Sequence, residues 1–520
     1  MPVSFSQIPA NWKIPLYWVE IDPSKAGLWT LHQPALLVGI MTDQGVALPD
    51  VAIPVGSQAQ ADKQFGEGSH LACMFRAFFA NNFANEVWGL PVAEPLAGTA
   101  ATGTITVTAD AGGHEAGTIN LYIGGMHVPV NIGAADTVNN IHVAISAAIN
   151  DNFNLPVSSV GSPTEVTLTC NWAGTSGNDI DVRDSYYGRM GSEELPKGIS
   201  IAYGTLGMLS GGTGVPVFDT AIASLGERNF EYVALPFTDS TSLLAWELEY
   251  GFTDSGRWGW MRQLFGHIFS ARRDDYANMV VFGETRNQGV TSIMGVELAS
   301  PTPVYEWAAA YAAKAQRALI NDPARPLQTL EFTSVLPAPL HQRFNLQELN
   351  TLAGSGIATQ QADANDVPMI LRETTTYQLN LYGQGDDAYE LVTTLATLAR
   401  LLRNQKHAIT TTFPRHKLAD DGTRFGPGQA IVTPGLIKAE LVSEYRQDMF
   451  NGLVENIGAF KSHLIVERDP NNPNRVNVLY PPDLINQLRV FAVLAQFRLQ
   501  YDRGADTGIA VVQLAAGGGA

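Results

Sequence analysis

Glycine and charge are distributed very unevenly along this chain of 520 residues. Residues 97–213 contain 18 of the 49 glycines and carry 10 acidic residues against 3 basic ones. Short β-branched runs separated by glycine-rich turns are typical of β structure. We therefore predict that residues 97–213 form a separate, acidic, β-rich domain that is inserted into a larger fold.

Within this segment the pattern predicts one hairpin, two further strands and one helix. Gly124-Gly125 is the two-residue signal of a tight hairpin turn. Asp136 or Thr137 can cap a helix in which Val138 and Ile141 begin an apolar face of helical period. The predicted strands are TITVTA (104–109), TINLYI (118–123), MHVPVNI (126–132) and TEVTLTC (164–170).

The sequence on either side of residues 97–213 favours a parallel α/β sheet, because short apolar runs alternate with helical patterns. The segments are PALLVGIM (34–41), CMFRAFFANNF (73–83), FEYVAL (230–235), TSLLAWELEYGF (241–252), the apolar run NMVVFG (278–283) and the helical VYEWAAAYAAKAQRALI (304–320). We predict one discontinuous α/β domain made of residues 26–96 and 214–365.

The last third of the chain is nearly neutral, whereas the rest of the chain is acidic. Residues 366–520 hold 15 Lys and Arg against 16 Asp and Glu, whereas the whole chain has a formal charge of −18. A long helix is predicted over residues 386–405, and alternating apolar residues predict a closing strand over 493–501. Residues 366–501 are therefore predicted to form a C-terminal α+β domain.

Both ends of the chain have the pattern of extended arms, predicted over residues 1–25 and 502–520. Apolar residues that lie so near a terminus need a partner, and the prolines around the first arm keep its edge from pairing indiscriminately. The apolar arm residues are Leu16, Tyr17, Trp18, Val19 and Ile21 at one end and Ile509, Val511, Val512 and Leu514 at the other.

Composition excludes several classes of protein. The charge of −18 would repel a phosphate backbone, so we predict no nucleic-acid partner. Cys73 and Cys170 are too few for a disulfide framework, and both are predicted to be buried thiols. No signal peptide and no uninterrupted apolar span of about 18 residues is found, so we expect a soluble protein that is made in the cytosol and does not insert into membranes.

No motif predicts an active site. Residues 207–214, GMLSGGTG, lack the lysine and hydroxyl that a phosphate-binding loop needs, since Val215 and Pro216 follow. Asp254-Ser255-Gly256 and Gly174-Thr175-Ser176 have the serine before the aspartate, an order found in no described serine-protease triad. His114-Glu115 lacks the second histidine of a zinc helix and is predicted to lie in a loop, while His407 and His416 are predicted to be solvated. We predict no cofactor, no metal and no enzymatic activity, and keep a subtilisin-like hydrolase as the alternative.

Several segments together resemble the tail sheath proteins of Mu-like contractile-tailed bacteriophages. Their order and coverage, from residue 3 to about residue 501, make the resemblance specific. The segments are VSFSQIPANWKIPLYWVEID (3–22), AGTINLYIGGMHVPVNIGAADTVNNIHVAISAAIN (116–150), RFNLQELNTLAGSGIAT (343–359), RETTTYQLN (372–380), NGLVEN (451–456) and NRVNVLYPPDLINQLRV (474–490).

The resemblance implies a structural protein that assembles with copies of itself, six to a ring, around a tail tube. On triggering, the stacked rings rearrange and drive the tube through the host envelope. It further implies a subtilisin-related α/β domain without catalytic residues, terminal arms that add strands to the C-terminal domain of a neighbour, and baseplate and tail terminator proteins as partners. The expected location is the virion tail, after assembly in the host cytoplasm; the sheath of a headless phage-derived particle is the alternative.

Two surface predictions follow from that expectation. Residues 97–213 should lie outside the cylinder, so that their removal leaves assembly intact. Arg400, Arg403 and Lys406 recur every three residues near the end of the 386–405 helix and are predicted to face an acidic tube through exposed, salt-sensitive ion pairs, with a solvated helix end as the alternative.

Overall fold

The computed structural model describes residues 32–497 and residue 499. The predicted arms, with Leu16, Tyr17, Trp18, Val19, Ile21, Ile509, Val511, Val512 and Leu514, lie outside the described residues. Packing divides the chain into two units, Met1–Ile485 and Asn486–Ala520.

The first part of the chain forms half of an α/β layer. Strand β1 is buried along its whole length, as expected of a parallel strand covered on both faces. The elements are β1 (Ala35–Ile40), β2 (Ile53–Pro54), α1 (Gln58–Phe65), α2 (His70–Asn81) and β3 (Val87–Val92).

The chain then leaves this sheet and builds the glycine-rich region. The Gly124-Gly125 turn has positive φ at both residues, which is the tight hairpin geometry that glycine favours. Thr137 caps the helix, since its side chain accepts from the Asn140 N–H. The elements are β4 (Ala100–Ala109), β5 (Gly117–Ile123), β6 (Met126–Ile132), α3 (Val138–Asn150), β7 (Val157–Gly161), β8 (Val166–Ala173), β9 (Val182–Asp184) and β10 (Ile199–Tyr203). They form two antiparallel sheets, ordered β10-β4-β8-β7 and β6-β5-β9.

After this region the chain returns and completes the α/β layer. The further elements are α4 (Asp219–Leu225), β11 (Tyr232–Ala234), α5 (Ser240–Tyr250), β12 (His267–Asp274), α6 (Tyr276–Glu284), β13 (Thr291–Glu297), α7 (Val304–Asn321), α8 (Leu346–Gly354), β14 (Thr359–Ala362) and β15 (Pro368–Arg372). The six-stranded sheet has the order β13-β12-β11-β1-β3-β2. Its strands are parallel except for β2, which runs antiparallel to β3.

The predicted α/β class is confirmed, and the predicted membership of residues 34–41 in the same sheet as residues 230–235 is confirmed by the pairing of β1 with β11. The direction of chain progression reverses at β1, because β3 lies on one side of it and β11, β12 and β13 lie on the other. This doubly wound order creates a crevice at the carboxyl ends of β1 and β11.

The inserted region does not have a core of its own. One continuous cluster of buried apolar side chains includes Leu37 and Phe75 of the α/β layer together with Ile105, Ile145 and Trp172 of the inserted region. Removal of residues 97–213 would therefore uncover part of the α/β core, so the structure argues against the predicted freely removable domain.

The C-terminal part is mainly helical. Its elements are α9 (Val392–Thr412), β16 (Lys417–Leu418), β17 (Ile431–Val432), α10 (Pro434–Phe450), α11 (Ile457–His463), β18 (Ile465–Arg468) and β19 (Val476–Leu479). The strands pair as two small sheets, β16–β17 and β18–β19, and a third small sheet, β14–β15, precedes α9. Helix α9 connects two cores, since Leu395 joins the α/β cluster and Leu401 packs with Leu441 and Tyr445. No helix in the described ranges has the length and apolar character to cross a membrane.

Three predicted elements are wrong in kind or position. The run NMVVFG lies in helix α6, because a short apolar run without a clear period fits a helix as well as a strand. The 386–405 helix instead begins at Val392, since residues 374–379 bond to residues 385–391. The closing strand over 493–501 is absent as far as residue 497, and Phe497 is 85% exposed there because no partner strand pairs with it in the described residues.

Candidate functional site

The glycine-rich loop at residues 207–214 holds the base of the inserted region. The Gly212 N–H donates to Asn178 Oδ1 over 2.8 Å, and the Asn178 amide donates back to the Gly212 carbonyl over 2.9 Å. Thr99 and Thr213 pair as an antiparallel bridge. These bonds make the loop a turn that joins two parts of the fold, as the sequence predicts.

The residues that resemble a serine-protease triad are bonded to tryptophans. Ser176 Oγ accepts from the Trp172 indole N–H over 3.0 Å, and Asp254 Oδ1 accepts from the Trp260 indole N–H over 3.0 Å. In the part of the chain that the structure describes, neither side chain bonds to a histidine, and no group of three or more His, Cys, Asp or Glu is arranged to hold a metal ion. An activated serine nucleophile pairs with a general base, whereas Ser176 here pairs with an indole N–H.

Both cysteines are buried free thiols, as predicted. Burial raises the pKa of Cys73 to about 11 and that of Cys170 to about 12. Because the thiolate is the reactive form, these side chains act as small apolar groups of the core.

The basic residues predicted to face a tube do not form one exposed stripe. The Arg403 guanidinium lies 2.7 Å from a carboxylate oxygen of Glu231, and the two side chains are only 12% and 6% exposed. Arg400 donates to the Ile320 carbonyl over 2.8 Å. These two arginines hold α9 against the α/β layer, so they are not free, salt-sensitive charges; of the three predicted residues only Lys406 is exposed.

Exposed positive charge continues past the end of α9. Arg415 and Lys417 follow Lys406 and are also exposed, and Lys417 Nζ donates to the neutral amide of Gln429 over 2.9 Å. We define Lys406, Arg415 and Lys417 as the basic end of α9. Sequence reasoning missed Arg415 and Lys417 because they follow the end of α9, in a short segment without periodicity that includes β16, although they are the next cations along the chain.

A second feature missed from the sequence is the small sheet formed by β18 and β19. In the described ranges these strands pair only with each other, so each has one unpaired edge. Ile465 on β18 and Leu479 on β19 are half exposed. The turn residues DPNNPN (469–474) between two β-branched runs are the signal that could have predicted this hairpin.

The second unit exposes its apolar side chains. Its described residues, 486–497 and 499, contain no helix or strand, and Leu488 is 73% exposed. Phe491, Val493, Leu494 and Leu499 are exposed in the same way. Exposed apolar residues that recur in one short segment are typical of an interaction site.

Comparisons with known proteins identify the class to which this architecture belongs. A phage tail sheath protein central domain matches residues 211–376, and a phage tail sheath C-terminal domain matches residues 384–498. The chain is 38% identical over 501 residues to the Mu-like prophage FluMu tail sheath protein of Haemophilus influenzae, which covers 96% of this chain and 100% of that protein. This chain belongs to the phage tail sheath protein family, as the resemblance predicted.

Solved structures of sheath proteins are distantly similar. The sheath tail protein of Desulfitobacterium hafniense is 11% identical with a TM-score of 0.45, over 91% of this chain and 100% of that chain. The helical sheath of the anti-feeding prophage in its contracted state is 10% identical with a TM-score of 0.42, over 94% of this chain and 99% of that chain.

Proposed function

We propose that this protein is the structural subunit of a contractile tail sheath, with no catalytic role. Six subunits form a ring, rings stack around a tail tube, and their rearrangement drives the tube through the host envelope. The identity of 38% to a tail sheath protein over nearly the whole chain is the observation that carries this proposal. Tail tube, baseplate and tail terminator proteins are the proposed partners, and the virion tail is the proposed location.

The joints between subunits are proposed to form by strand addition. The β18–β19 sheet has two unpaired edges, and the chain has two apolar arms, one containing Trp18 and the other Val512. Each main-chain hydrogen bond contributes about 0.5–1.5 kcal/mol net, so a strand with five bonds contributes several kcal/mol per joint. Such a joint tolerates the large rigid-body motion that contraction requires.

Negative-stain microscopy of the purified full chain tests the assembly. We expect striated hollow cylinders with six-fold symmetry at high protein concentration. Deletion of residues 2–22 should abolish the cylinders and leave a folded subunit, while deletion of residues 516–520, which removes only small residues, should leave them intact. A deletion of residues 2–22 that unfolds the subunit would instead place that segment in the subunit's own core.

Contact with the tube is proposed to involve the basic end of α9. Arg400 and Arg403 are bonded to the α/β layer and are therefore not available to a partner. The exposed cations near this helix end are those of the basic end of α9, Lys406, Arg415 and Lys417. Exposed ion pairs are worth about 0.2–1 kcal/mol each and weaken with salt, which suits a sheath that must later release the tube.

The variant K406E/R415E/K417E tests the tube contact. It should form cylinders alone but no extended sheath around purified tube protein. The matched control K63E/R189E/K197E reverses three exposed cations on other parts of the molecule and should still bind the tube. Equal tube binding by both variants would refute the assignment.

A further inference from the structure

A groove with three cations in its lining lies beside the C-terminal half of α7. Its volume is about 390 Å³. Lys314 and Arg317 line it from α7, and Arg325 lines it from the segment that follows this helix. Ala318 and Leu330 add apolar surface to the lining. We call this surface the basic groove.

The three cations of the basic groove form no ion pair within the described residues. Asp322 also lines the groove, but its Oδ1 accepts from the Ala324 N–H over 3.1 Å. Burial lowers the pKa of Lys314, and the neighbouring Arg317 lowers it further. Glu331 acts in the opposite direction but does not offset these two effects. The groove therefore presents positive charge that the described part of the chain does not neutralise.

An open pocket with the opposite charge lies where the α/β layer meets the inserted region. Its volume is about 530 Å³, and its lining includes the exposed carboxylates of Asp43, Glu67 and Glu94 but no basic residue. Burial raises the pKa of Glu94, and the nearby Asp43 carboxylate raises it further. Since no group of three or more His, Cys, Asp or Glu in the described ranges is arranged to hold a metal ion, these carboxylates fit separate cationic side chains. We call this surface the acidic pocket.

The basic groove and the acidic pocket lie at opposite edges of the six-stranded sheet. Near the end of α7, Gln316 donates to the carbonyls of Gln33 and Glu86, which precede β1 and β3. Asp43 and Glu94 instead follow the last residues of these two strands. Because β1 and β3 are parallel and six residues long, about 20 Å separates the two edges. One copy of the chain therefore does not join its own two surfaces.

We propose that the basic groove of one copy contacts the acidic pocket of a second copy, where the exposed guanidinium groups of the groove pair with the carboxylates of the pocket. This contact rests on the proposed self-assembly of the chain and names two surfaces that take part in it. The formal charge of −18 makes copies repel one another, so facing surfaces of opposite sign select where two copies can approach. A contact between different surfaces is head-to-tail, and repeated head-to-tail contacts close into a ring where the rotation between copies allows it.

Sedimentation of the full chain tests the contact, and the measured quantity is the protein concentration at which half of the chains assemble. The variant R317E/R325E reverses the charge of the basic groove, and D43K/E67K reverses that of the acidic pocket. Each variant alone should need at least tenfold more protein to assemble, because like charges then face each other. All four side chains are exposed, so both variants should keep the melting temperature of the wild-type subunit.

An equimolar mixture of the two variants should assemble at close to the wild-type concentration. When the two variants alternate, each groove faces a pocket of opposite charge, and a ring of six accommodates this alternation. The control R189E/K197E reverses two cations of the inserted region whose side chains are 86% and 84% exposed, and it should assemble like the wild type.

Three results would overturn the contact. Assembly of both variants at the wild-type concentration would refute it and leave the sheath proposal standing, whereas a wild type that stays monomeric at every concentration would refute both. Weakened assembly that mixing does not restore would also refute it, since the basic groove would then bind another acidic molecule. A lower melting temperature of R317E/R325E would show that the groove is covered by residues of its own chain.

Discussion

In the sequence, the inserted region and the C-terminal segment after residue 485 both lie outside the α/β pattern. Their apolar side chains differ in burial. Trp172 of the inserted region is buried, with its ring 5.3 Å from the ring of His70 and 5.8 Å from that of Tyr305. Phe491 and Phe497 of the C-terminal segment are exposed. An inserted region can thus complete the core of the α/β layer, whereas a cluster of exposed apolar residues favours contacts with a partner.

The largest expected effect comes from making the C-terminal segment polar. The variant F491S/V493S/F497S should abolish cylinders in the microscope, because we expect these exposed apolar side chains to contact neighbouring subunits in the assembly. Its unfolding free energy should change by no more than about 0.5 kcal/mol, as is usual for exposed positions. The control L48S/V160S/V217S changes three exposed apolar residues elsewhere and should still assemble. A large loss of subunit stability in the first variant would mean that the segment has cover within its own chain.

A smaller but still large effect should come from truncating Trp172. The variant W172A should destabilise the subunit by about 3–5 kcal/mol, because it leaves a cavity between the inserted region and the α/β layer. Urea unfolding followed by circular dichroism measures this difference, with the exposed Trp260 in W260A as the control. Equal stability of the two variants would show that the inserted region folds independently of the sheet.

The smallest expected effect concerns the buried carboxyl group of Asp448, which lies at the contact between α9 and α10. Burial raises the pKa of Asp448 to about 6, although Asn404 donates to it over 2.7 Å and favours the charged form. Since the folded state binds the proton more tightly than the unfolded chain, ionisation of Asp448 destabilises the fold as the pH rises from about 4 through 6.

The unfolding free energy of the variant D448N should therefore match that of the wild type near pH 4. At pH 7.5 it should be larger by about 1 kcal/mol, a difference that allows for solvent screening of the Asp448 charge. Melting temperatures across this pH range measure the difference between variant and wild type. D387N, which changes an exposed aspartate, is the control and should follow the wild type throughout. A difference for D448N that does not depend on pH would contradict the assigned cause.

Local patterns in the sequence predicted those elements whose burial follows a regular period. The uninterrupted apolar run of residues 34–41 predicted β1, and the Thr137 cap with its apolar face predicted α3. The run NMVVFG carried no period that separates a strand from a helix, and its assignment was wrong for that reason. The helix predicted from residue 386 begins at Val392 instead, because residues 385–391 bond to the preceding segment 374–379.

The amino-acid sequence by itself determined the family, the α/β class and the positions of those strands and helices whose residues follow a regular period, because backbone hydrogen bonding and one-sided burial impose their periods on neighbouring residues. Only the tertiary structure decided which side chains meet. Arg403 pairs with Glu231, 172 positions away, and His70 lies beside Trp172 and Tyr305. Such contacts depend on how whole layers pack against one another, and no local period of the sequence encodes that packing.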